Sequence, residues 1–257
     1  MEEAAVSSRY FVHLSYEGSA YCGWQMQPGL PTVQQTLDQA LSVLLKSETR
    51  TMGAGRTDTG VHAKEFYAHF DGPLSARMPD LRRLTYKLNK VLPHDIAVFQ
   101  IIPVHARAHA RYDAISRTYH YYICTRKDPF WQGRAWAFER NLNLEPMQQA
   151  TALLFSYEDF SSFSKSNTQV KTNLCQIMTA QWTQEDHILK FEIKANRFLR
   201  NMVRAITGTL VDVGLGKLSP EDFAQIIESK DRNQAGYSAP GCGLYLSGIE
   251  YPKGLIS

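Results

Sequence analysis

The chain has few of the features that mark a membrane-spanning, disulfide-rich or metal-binding protein. Its 257 residues include four cysteines, which are far apart and form no CxxC pair. We interpret them as reduced thiols of a cytosolic protein. No apolar run approaches the roughly 18 residues that cross a bilayer, and the acidic start Met1–Ala5 is unlike a secretory signal. The net charge of +3 is small, so it allows an anionic partner without requiring one.

The fingerprints of nucleotide-binding loops are missing too. The glycine-rich stretch Gly53–Ala63 has no Lys-Ser/Thr after its glycines, and Asp58 takes the third glycine position of a GxGxxG pattern. A carboxylate there would repel a phosphate, so an enzyme for phosphate ligands is the disfavoured alternative. Zinc is disfavoured as well, because His62 and His69 have no cysteine nearby. No nucleophile elbow is visible, although a Ser-His-Asp triad stays open.

Within this stretch, glycines frame one arginine and one aspartate, Arg56 and Asp58. Glycine permits unusual backbone angles and lets a partner approach closely, which favours a loop that presents a side chain. A tight turn with one buried salt bridge is the alternative interpretation. If the loop is functional, a cation beside the carboxylate would favour its ionised form, and an ionised aspartate can act as a nucleophile or a base.

Basic residues recur along the chain, with aromatic residues among them. This mixture suits a partly single-stranded nucleic acid, whose phosphates meet cations and whose bases stack on rings. The alternative is a solvated basic face over core tyrosines. The basic residues are Arg77, Arg82, Arg83, Lys87, Lys90, Arg107, Arg111, Arg117, Arg126, Lys127, Arg134, Arg197, Arg200 and Arg204, and the aromatic ones are Tyr112, Tyr119, Tyr121, Tyr122, Phe130 and Trp131.

The periodicity of apolar residues predicts an α+β fold rather than an alternating βαβ fold. Strands are expected at 9–16, 49–52, 64–70, 96–104, 117–124, 177–182, 188–195 and 243–251, and helices at 33–45, 79–92, 145–155, 198–213 and 219–229. The residues 158–173 are expected to form a surface loop. In the helix at 198–213, Arg200 and Arg204 lie opposite the apolar face, and Arg197, just before it, continues the same arc. We place a domain boundary so that residues 1–106 and 107–257 form two α+β domains.

Six segments resemble, in order, the motifs of the tRNA pseudouridine synthase A (TruA) family. The central one is Gly55–Ala63, which is similar to GRTDxGVHA. The others are Tyr16–Gly18 with Tyr21–Gln25, His109–Tyr121, Asp159–Phe163, Phe198–Gly208 and Ala239–Leu246. They cover nearly the whole chain, so the resemblance is specific.

The resemblance implies two similar α/β-sandwich halves that share a central mixed or antiparallel sheet, with a catalytic cleft between them. It implies a cytoplasmic homodimer that converts uridine to pseudouridine at positions 38, 39 and 40 in the anticodon stem-loop of tRNA, without cofactor or metal. A catalytically inactive RNA-binding protein on the same fold is the alternative. The target base must leave its stack to be reached.

The resemblance also implies roles for individual residues. Asp58 would be the nucleophile or base, and Arg56 would fill the gap left by the flipped base. Tyr119 would stack on the uracil and take the proton from C5. Arg204 would pair with Asp58 and keep it ionised. The expected substrate-binding residues are Gln25, Gly55, Arg56, Arg111, Tyr119 and Arg200.

Overall fold

The chain forms two compact units in its structure, a computed structural model that describes residues 8–72, 80–165 and 172–256. The first unit comprises Met1–Ile115 with Leu246–Ser257, and the second comprises Ser116–Tyr245. Both contain β-sheet and α-helix, which confirms the α+β class. No helix within the described ranges is long and apolar enough to cross a membrane.

The first unit is a sheet with two helices. Its strands are β1 (Ser8–Tyr16), β2 (Met52–Gly53), β3 (His62–Gly72), β4 (Ile96–Val104) and most of β9 (Leu244–Glu250), and its helices are α1 (Val33–Leu45) and α2 (Leu81–Val91). The strand order is β4-β1-β3-β9, with β2 beside β3. Strand β1 is central and antiparallel to both neighbours, so Val12 lies opposite Ala68 on one side and Ile101 on the other. Large apolar side chains, among them Phe11, Phe66 and Phe70, are fully buried there.

The second unit also combines a β-sheet with α-helices, but its strands and helices follow one another in a different order. Its strands are β5 (Ser116–Cys124), β6 (Trp136–Ala137), β7 (Ile177–Glu185) and β8 (Ile188–Ala195), and its helices are α3 (Leu144–Leu153), α4 (Met202–Gly214) and α5 (Pro220–Ser229). The order β5-β8-β7 is antiparallel throughout. Helix α5 begins as the sequence predicts, because Ser219 and Asp222 form a reciprocal capping box around Pro220.

The division of the chain differs from the predicted boundary after residue 106. The loop that follows β4 stays with the first unit, because the Arg9 guanidinium donates to the Ala108 carbonyl at 2.8 Å and the Ala110 amide donates to His69 Nδ1 at 3.2 Å. The C-terminal residues return to the same unit, since Tyr251 Oη donates to the Ala110 carbonyl at 2.6 Å. Such contacts join distant parts of the chain and leave no periodic signal in the sequence.

Three predicted elements are wrong in part. The strand expected at 49–52 is confirmed only at Met52, because β2 spans Met52–Gly53. Helix α4 begins at Met202 rather than at 198, because Asn201 has a left-handed backbone (φ 69°) at the N-cap. Arg197 and Arg200 therefore precede the helix and form no stripe with Arg204. The predicted surface loop at 158–173 is also wrong at its start, where Phe160 and Phe163 are fully buried. Residues 166–171, and Arg77 and Pro79 before α2, lie outside the described residues.

Candidate active site

The glycine-rich stretch begins on β2 and is fixed there by close packing. Gly53 pairs with Ala68 of β3, and a Cβ atom on Gly53 would lie 2.4 Å from the indole nitrogen of Trp24. The next residue, Ala54, donates its amide to the Tyr67 carbonyl at 2.7 Å. The loop therefore starts from the rigid edge of a strand and not from a free linker.

The segment Tyr21–Gln25 supports the next turn of this loop. Gly23 has a positive φ of 90°, and a Cβ atom on it would lie 2.2 Å from the Thr57 carbonyl oxygen. The Trp24 amide donates to that same oxygen at 3.3 Å, and the Gly60 amide donates to the Tyr21 carbonyl at 3.2 Å. Two motifs that are separate in the sequence, Tyr21–Gln25 and Gly55–Ala63, thus form one structural unit.

Thr57 is held on its side chain as well as on its backbone. Its hydroxyl is hydrogen-bonded to Tyr16 Oη at 2.9 Å in a buried environment. Tyr16 in turn packs edge-on against Phe66, and the Trp24 ring lies 4.2 Å from the Phe66 ring. This anchored threonine separates the two candidate residues, so its flanking positions have a defined backbone direction.

The two candidate residues lie on either side of Thr57 and differ in exposure. Arg56 is exposed and Asp58 is half-buried. The turn closes through Gly60, whose φ is 74°, with the Val61 amide donating to the Asp58 carbonyl at 3.2 Å. Among the described residues, no heavy atom outside the two chain neighbours lies within 4 Å of a Cβ placed on Gly55. A substrate can therefore approach the loop backbone closely at Gly55.

A buried carboxylate behind the loop was missed by sequence reasoning. Asp38 on α1 accepts hydrogen bonds from the amide and the hydroxyl of Thr51 at 2.9 and 2.6 Å, just before β2. Its second oxygen has no partner among the described atoms. Burial raises the pKa of Asp38 to about 6, although the Thr51 hydrogen bonds oppose this shift. The spacing of α1 marks Asp38 only as a polar position.

The loop that contains Arg111 is shaped by two histidines, His109 of the loop itself and His69 of β3. His109 Nδ1 accepts from the Arg111 amide at 3.1 Å, and Asp113 accepts from the His109 amide at 2.8 Å. Burial, followed by the charge of Arg9, lowers the pKa of His69 to about 4, so this ring is neutral where it accepts from Ala110. Arg111 is left at the surface, with its guanidinium 5.7 Å from the centre of the Tyr112 ring.

In the second unit, Tyr119 lies in the middle of β5. It is half-buried, opposite Ile193 of β8, and its ring meets the Phe198 ring edge-on at 5.1 Å. Tyr121 is two residues further and therefore on the same face of the strand. It is fully buried and donates its hydroxyl to the Pro240 carbonyl at 2.8 Å. The tyrosine motif thus contains one accessible ring and one structural ring.

Arg204 lies on the first turn of α4 and is fixed by the segment 235–240, which we call the α4 strap. Its Nε donates to the Ala239 carbonyl at 2.6 Å, while the Ala239 amide donates to the Arg204 carbonyl at 3.0 Å. One turn along, a Cβ atom on Gly208 would meet the Tyr237 carbonyl oxygen at 1.9 Å. The face of α4 predicted to be a cationic stripe is therefore covered by the strap, with Arg204 half-buried beside it.

The α4 strap is itself held by residues that sequence reasoning did not select. The Arg232 guanidinium donates to the carbonyls of Ala235 and Gly236 at 3.2 and 3.0 Å and to Ser238 Oγ at 3.0 Å. Asn201 Nδ2 donates to the same Ser238 oxygen at 2.6 Å. Arg232 and Asn201 thus hold the segment whose carbonyl orients Arg204. Only the fold, which brings positions 201, 232 and 238 together, could reveal them.

The predicted site residues lie in both units. The first unit brings Gly55, Arg56 and Asp58 together on one loop, with Gln25 exposed at the end of the supporting segment. Arg111 occupies the separate loop after β4. The second unit contains Tyr119, Arg204 and Arg200, the last of which is exposed in the turn before α4.

Comparison with known proteins identifies the class. A profile of the family described as tRNA pseudouridine synthase matches residues 150–252. The chain is 52% identical over 251 residues to tRNA pseudouridine synthase A of Porphyromonas gingivalis, covering 97% of this chain and 99% of that protein. The identity is 51% over 248 residues with its namesake from Parabacteroides distasonis, covering 96% and 98%. It is 42% over 242 residues with that of Bacillus subtilis, covering 93% and 97%. The chain therefore belongs to the tRNA pseudouridine synthase A family.

Proposed function

We propose that this protein isomerises uridine to pseudouridine in the anticodon stem-loop of tRNA, at the family's positions 38 to 40. The observation that carries the proposal is the clamp on Thr57, which presents Arg56 and Asp58 from a rigid loop in a chain of this family. In this reaction the bond from N1 of the uracil to the ribose breaks, and a bond from C5 to the same ribose carbon forms. A proton leaves C5 and one is gained at N1, so there is no net oxidation or reduction.

Asp58 is proposed as the nucleophile or base. Three routes remain open: attack on C6 of the ring, attack on the anomeric carbon of the ribose, and removal of the C2′ proton. Each needs an ionised carboxylate held in one place, since the rate depends on the alignment of the reacting atoms. The anchored backbone on both sides of Asp58 supports such a role.

Arg56 is proposed to occupy the space that the target base leaves. Taking a base out of its stack costs a few kcal/mol, and a cationic, planar side chain can replace part of the lost stacking. The exposure of Arg56 and the open space at Gly55 support this assignment. Gln25 and Arg111, both exposed in the same unit, are proposed to bind the substrate.

The roles of three residues in the second unit rest on the family resemblance. Tyr119 is proposed to stack on the uracil and to take the C5 proton, and its accessible ring supports this. Arg204 is proposed as the cation that keeps the catalytic carboxylate ionised. Its fixed guanidinium, hydrogen-bonded to Ala239, suits a residue that must have one orientation. Arg200 is proposed to bind the substrate.

We further propose that the protein acts as a homodimer in the cytoplasm. The alternative, an inactive RNA-binding protein, gains nothing from the comparisons, which match proteins named as synthases. A synthase and an inactive RNA-binding protein differ in whether pseudouridine is formed. Unmodified tRNA incubated with the protein should yield pseudouridine in the anticodon arm, detected by carbodiimide labelling and primer extension.

Two variants make this experiment specific. Asp58→Asn should bind tRNA with unchanged affinity and form no pseudouridine. Asp128→Asn is the matched control, because it also neutralises one partly buried aspartate, which has no part in the proposed chemistry. Normal turnover by Asp58→Asn would exclude Asp58 as the catalytic group, and no product from the unaltered protein with any tRNA would contradict the proposed function.

A further inference from the structure

The exposed half of helix α2 is a continuous cationic surface. The helix has the sequence LRRLTYKLNKV and contains no acidic residue. At about 100° per residue, its cations and its tyrosine fall within one half of the helix circumference. This surface, which we call the basic face of α2, consists of Arg82, Arg83, Tyr86, Lys87 and Lys90, of which Lys87 is half-buried and the others are exposed. The opposite half buries Leu84 and Leu88 in the core of the first unit.

Nothing among the described residues neutralises these charges. No ion pair or side-chain hydrogen bond within the described ranges engages Arg82, Arg83, Lys87 or Lys90, whereas Arg9 of the same unit is paired with Asp71 at 2.7 Å. The carboxylate of Asp80, which precedes the helix, accepts from the Arg82 amide and so caps the helix. Like charges one turn apart destabilise a helix, so an anionic partner would relieve repulsion that the fold leaves in place.

Tyr86 adds an exposed aromatic ring to the basic face of α2. Its side chain is 63% exposed although it lies in the middle of the cations. The Lys90 ammonium is 5.4 Å from the centre of its ring. An exposed ring flanked by cations offers stacking or sugar contact together with phosphate contact, and this combination is typical of proteins that bind RNA.

We propose that the basic face of α2 binds phosphates of the tRNA substrate. The proposal rests on the proposed function for the identity of the RNA. A lipid surface fits less well, because an interfacial helix must insert its apolar face and Leu84 and Leu88 are buried in the protein core. From Arg82 to Lys90 the surface extends about 12 Å along the helix axis, so the four cations can contact several phosphates at once.

The test compares two quadruple variants with the same loss of charge. The first is Arg82→Gln/Arg83→Gln/Lys87→Gln/Lys90→Gln. The control replaces four exposed lysines that are far apart in the sequence: Lys46→Gln/Lys165→Gln/Lys217→Gln/Lys253→Gln. For each, the dissociation constant for unmodified tRNA is measured from 50 to 300 mM salt, and pseudouridine formation is followed as kcat and KM.

The α2 variant should bind tRNA at least about tenfold more weakly near 100 mM salt. The slope of log affinity against log salt should become shallower by about 3, because each phosphate contact contributes about 0.7 to 0.9. KM should rise while kcat stays within twofold, since α2 has no part in the proposed chemistry. The control should change the slope by less than 1. The melting temperature of the α2 variant should be unchanged or higher, and the pair Arg82→Gln/Lys90→Gln should show about half the effect.

Equal salt slopes for the α2 variant and the control would overturn the proposal. So would loss of binding to phosphatidylserine vesicles by the α2 variant alone, with tRNA binding intact, because the partner would then be a membrane. The result is independent of catalysis. If the unaltered protein bound tRNA but formed no pseudouridine, the proposed function would fail and the salt slopes would still decide whether α2 contacts the RNA.

Discussion

Gly23 and Thr57 are in contact so close that no side chain fits between them. A Cβ atom on Gly23 would lie 2.2 Å from the Thr57 carbonyl oxygen, and the φ of Gly23 is 90°, a region that favours glycine. Position 23 therefore requires glycine for a structural reason: only glycine allows the segment Tyr21–Gln25 to support the loop that presents Arg56 and Asp58. A substitution that disrupts this contact should displace Arg56 and Asp58 without changing either residue.

Gly23→Ala should reduce kcat/KM by about 100-fold, because a displacement of about 1 Å near reacting groups has an effect of that size. Gly29→Ala is the matched control. Gly29 also has a positive φ, of 73°, but within the described ranges no heavy atom other than those of its chain neighbours lies within 4 Å of its Cβ position. Both variants carry a backbone strain of roughly 1 to 2 kcal/mol, so their difference in activity isolates the collision with Thr57. Equal kcat/KM values for the two would show that this contact does not position the loop.

The hydrogen bond between Tyr16 and Thr57 predicts a coupling between two buried hydroxyls. Tyr16→Phe and Thr57→Val each leave the other group without this partner, which costs about 1 to 3 kcal/mol of unfolding free energy. The double variant should lose about 1 kcal/mol less than the sum of the single losses. Urea unfolding of the four proteins measures the cycle, and strict additivity would mean that the 2.9 Å contact contributes no stability.

Periodic elements could be predicted from the sequence because their signal is local. The strand at 96–104 and the start of the helix expected at 219–229 are confirmed in their predicted places, since alternation and capping residues depend on neighbours in the chain. Helix α4 shows the limit. Its apolar spacing extends back to 198, but the left-handed Asn201, whose amide group donates to Ser238, delays the helix start to Met202.

The same limit applies to the candidate site. Asp58 and Arg56 could be selected because glycines surround them and a family motif contains them. Arg232 has no such signal. Its structural role depends on hydrogen bonds to the carbonyls of Ala235 and Gly236, which point toward it only in the folded strap. Asp38 was missed because its sequence signal is misleading. An acidic residue on a helix is expected to face water, but this one is 94% buried.

Arg232→Met should lower the unfolding free energy by roughly 2 kcal/mol, because two carbonyls and one hydroxyl lose a charged donor. Lys217→Met is the control: it removes one cation that pairs with Asp212 at 2.8 Å and is itself well exposed, so its effect should stay below about 1 kcal/mol. Arg232→Lys should recover part of the loss, since a lysine can reach some of the acceptors but lacks the planar fork. Equal losses for Arg232→Met and Lys217→Met would mean that the strap is held without Arg232.

The Asp38 carboxyl predicts a dependence of stability on pH. Its folded pKa of about 6 is above the ordinary value of 3.8, so the folded state binds the proton more tightly than the unfolded state. The contribution of Asp38 to stability is therefore complete below pH 3.8 and is lost as the pH rises to about 6. Asp38→Asn removes this contribution, because the amide can still accept from Thr51 but does not titrate.

The measurement must separate Asp38 from His69, which titrates in the same range with the opposite sign. The His69 pKa is lowered from 6.5 to about 4, so its contribution increases as the pH rises between these values. Urea unfolding from pH 4 to 7.5 should give Asp38→Asn a stability, relative to the unaltered protein, that increases up to about pH 6 and then stays constant. His69→Gln should show the opposite trend. A flat difference curve for Asp38→Asn would mean that this carboxyl is ionised in the folded protein throughout the range, with its second oxygen reached by solvent.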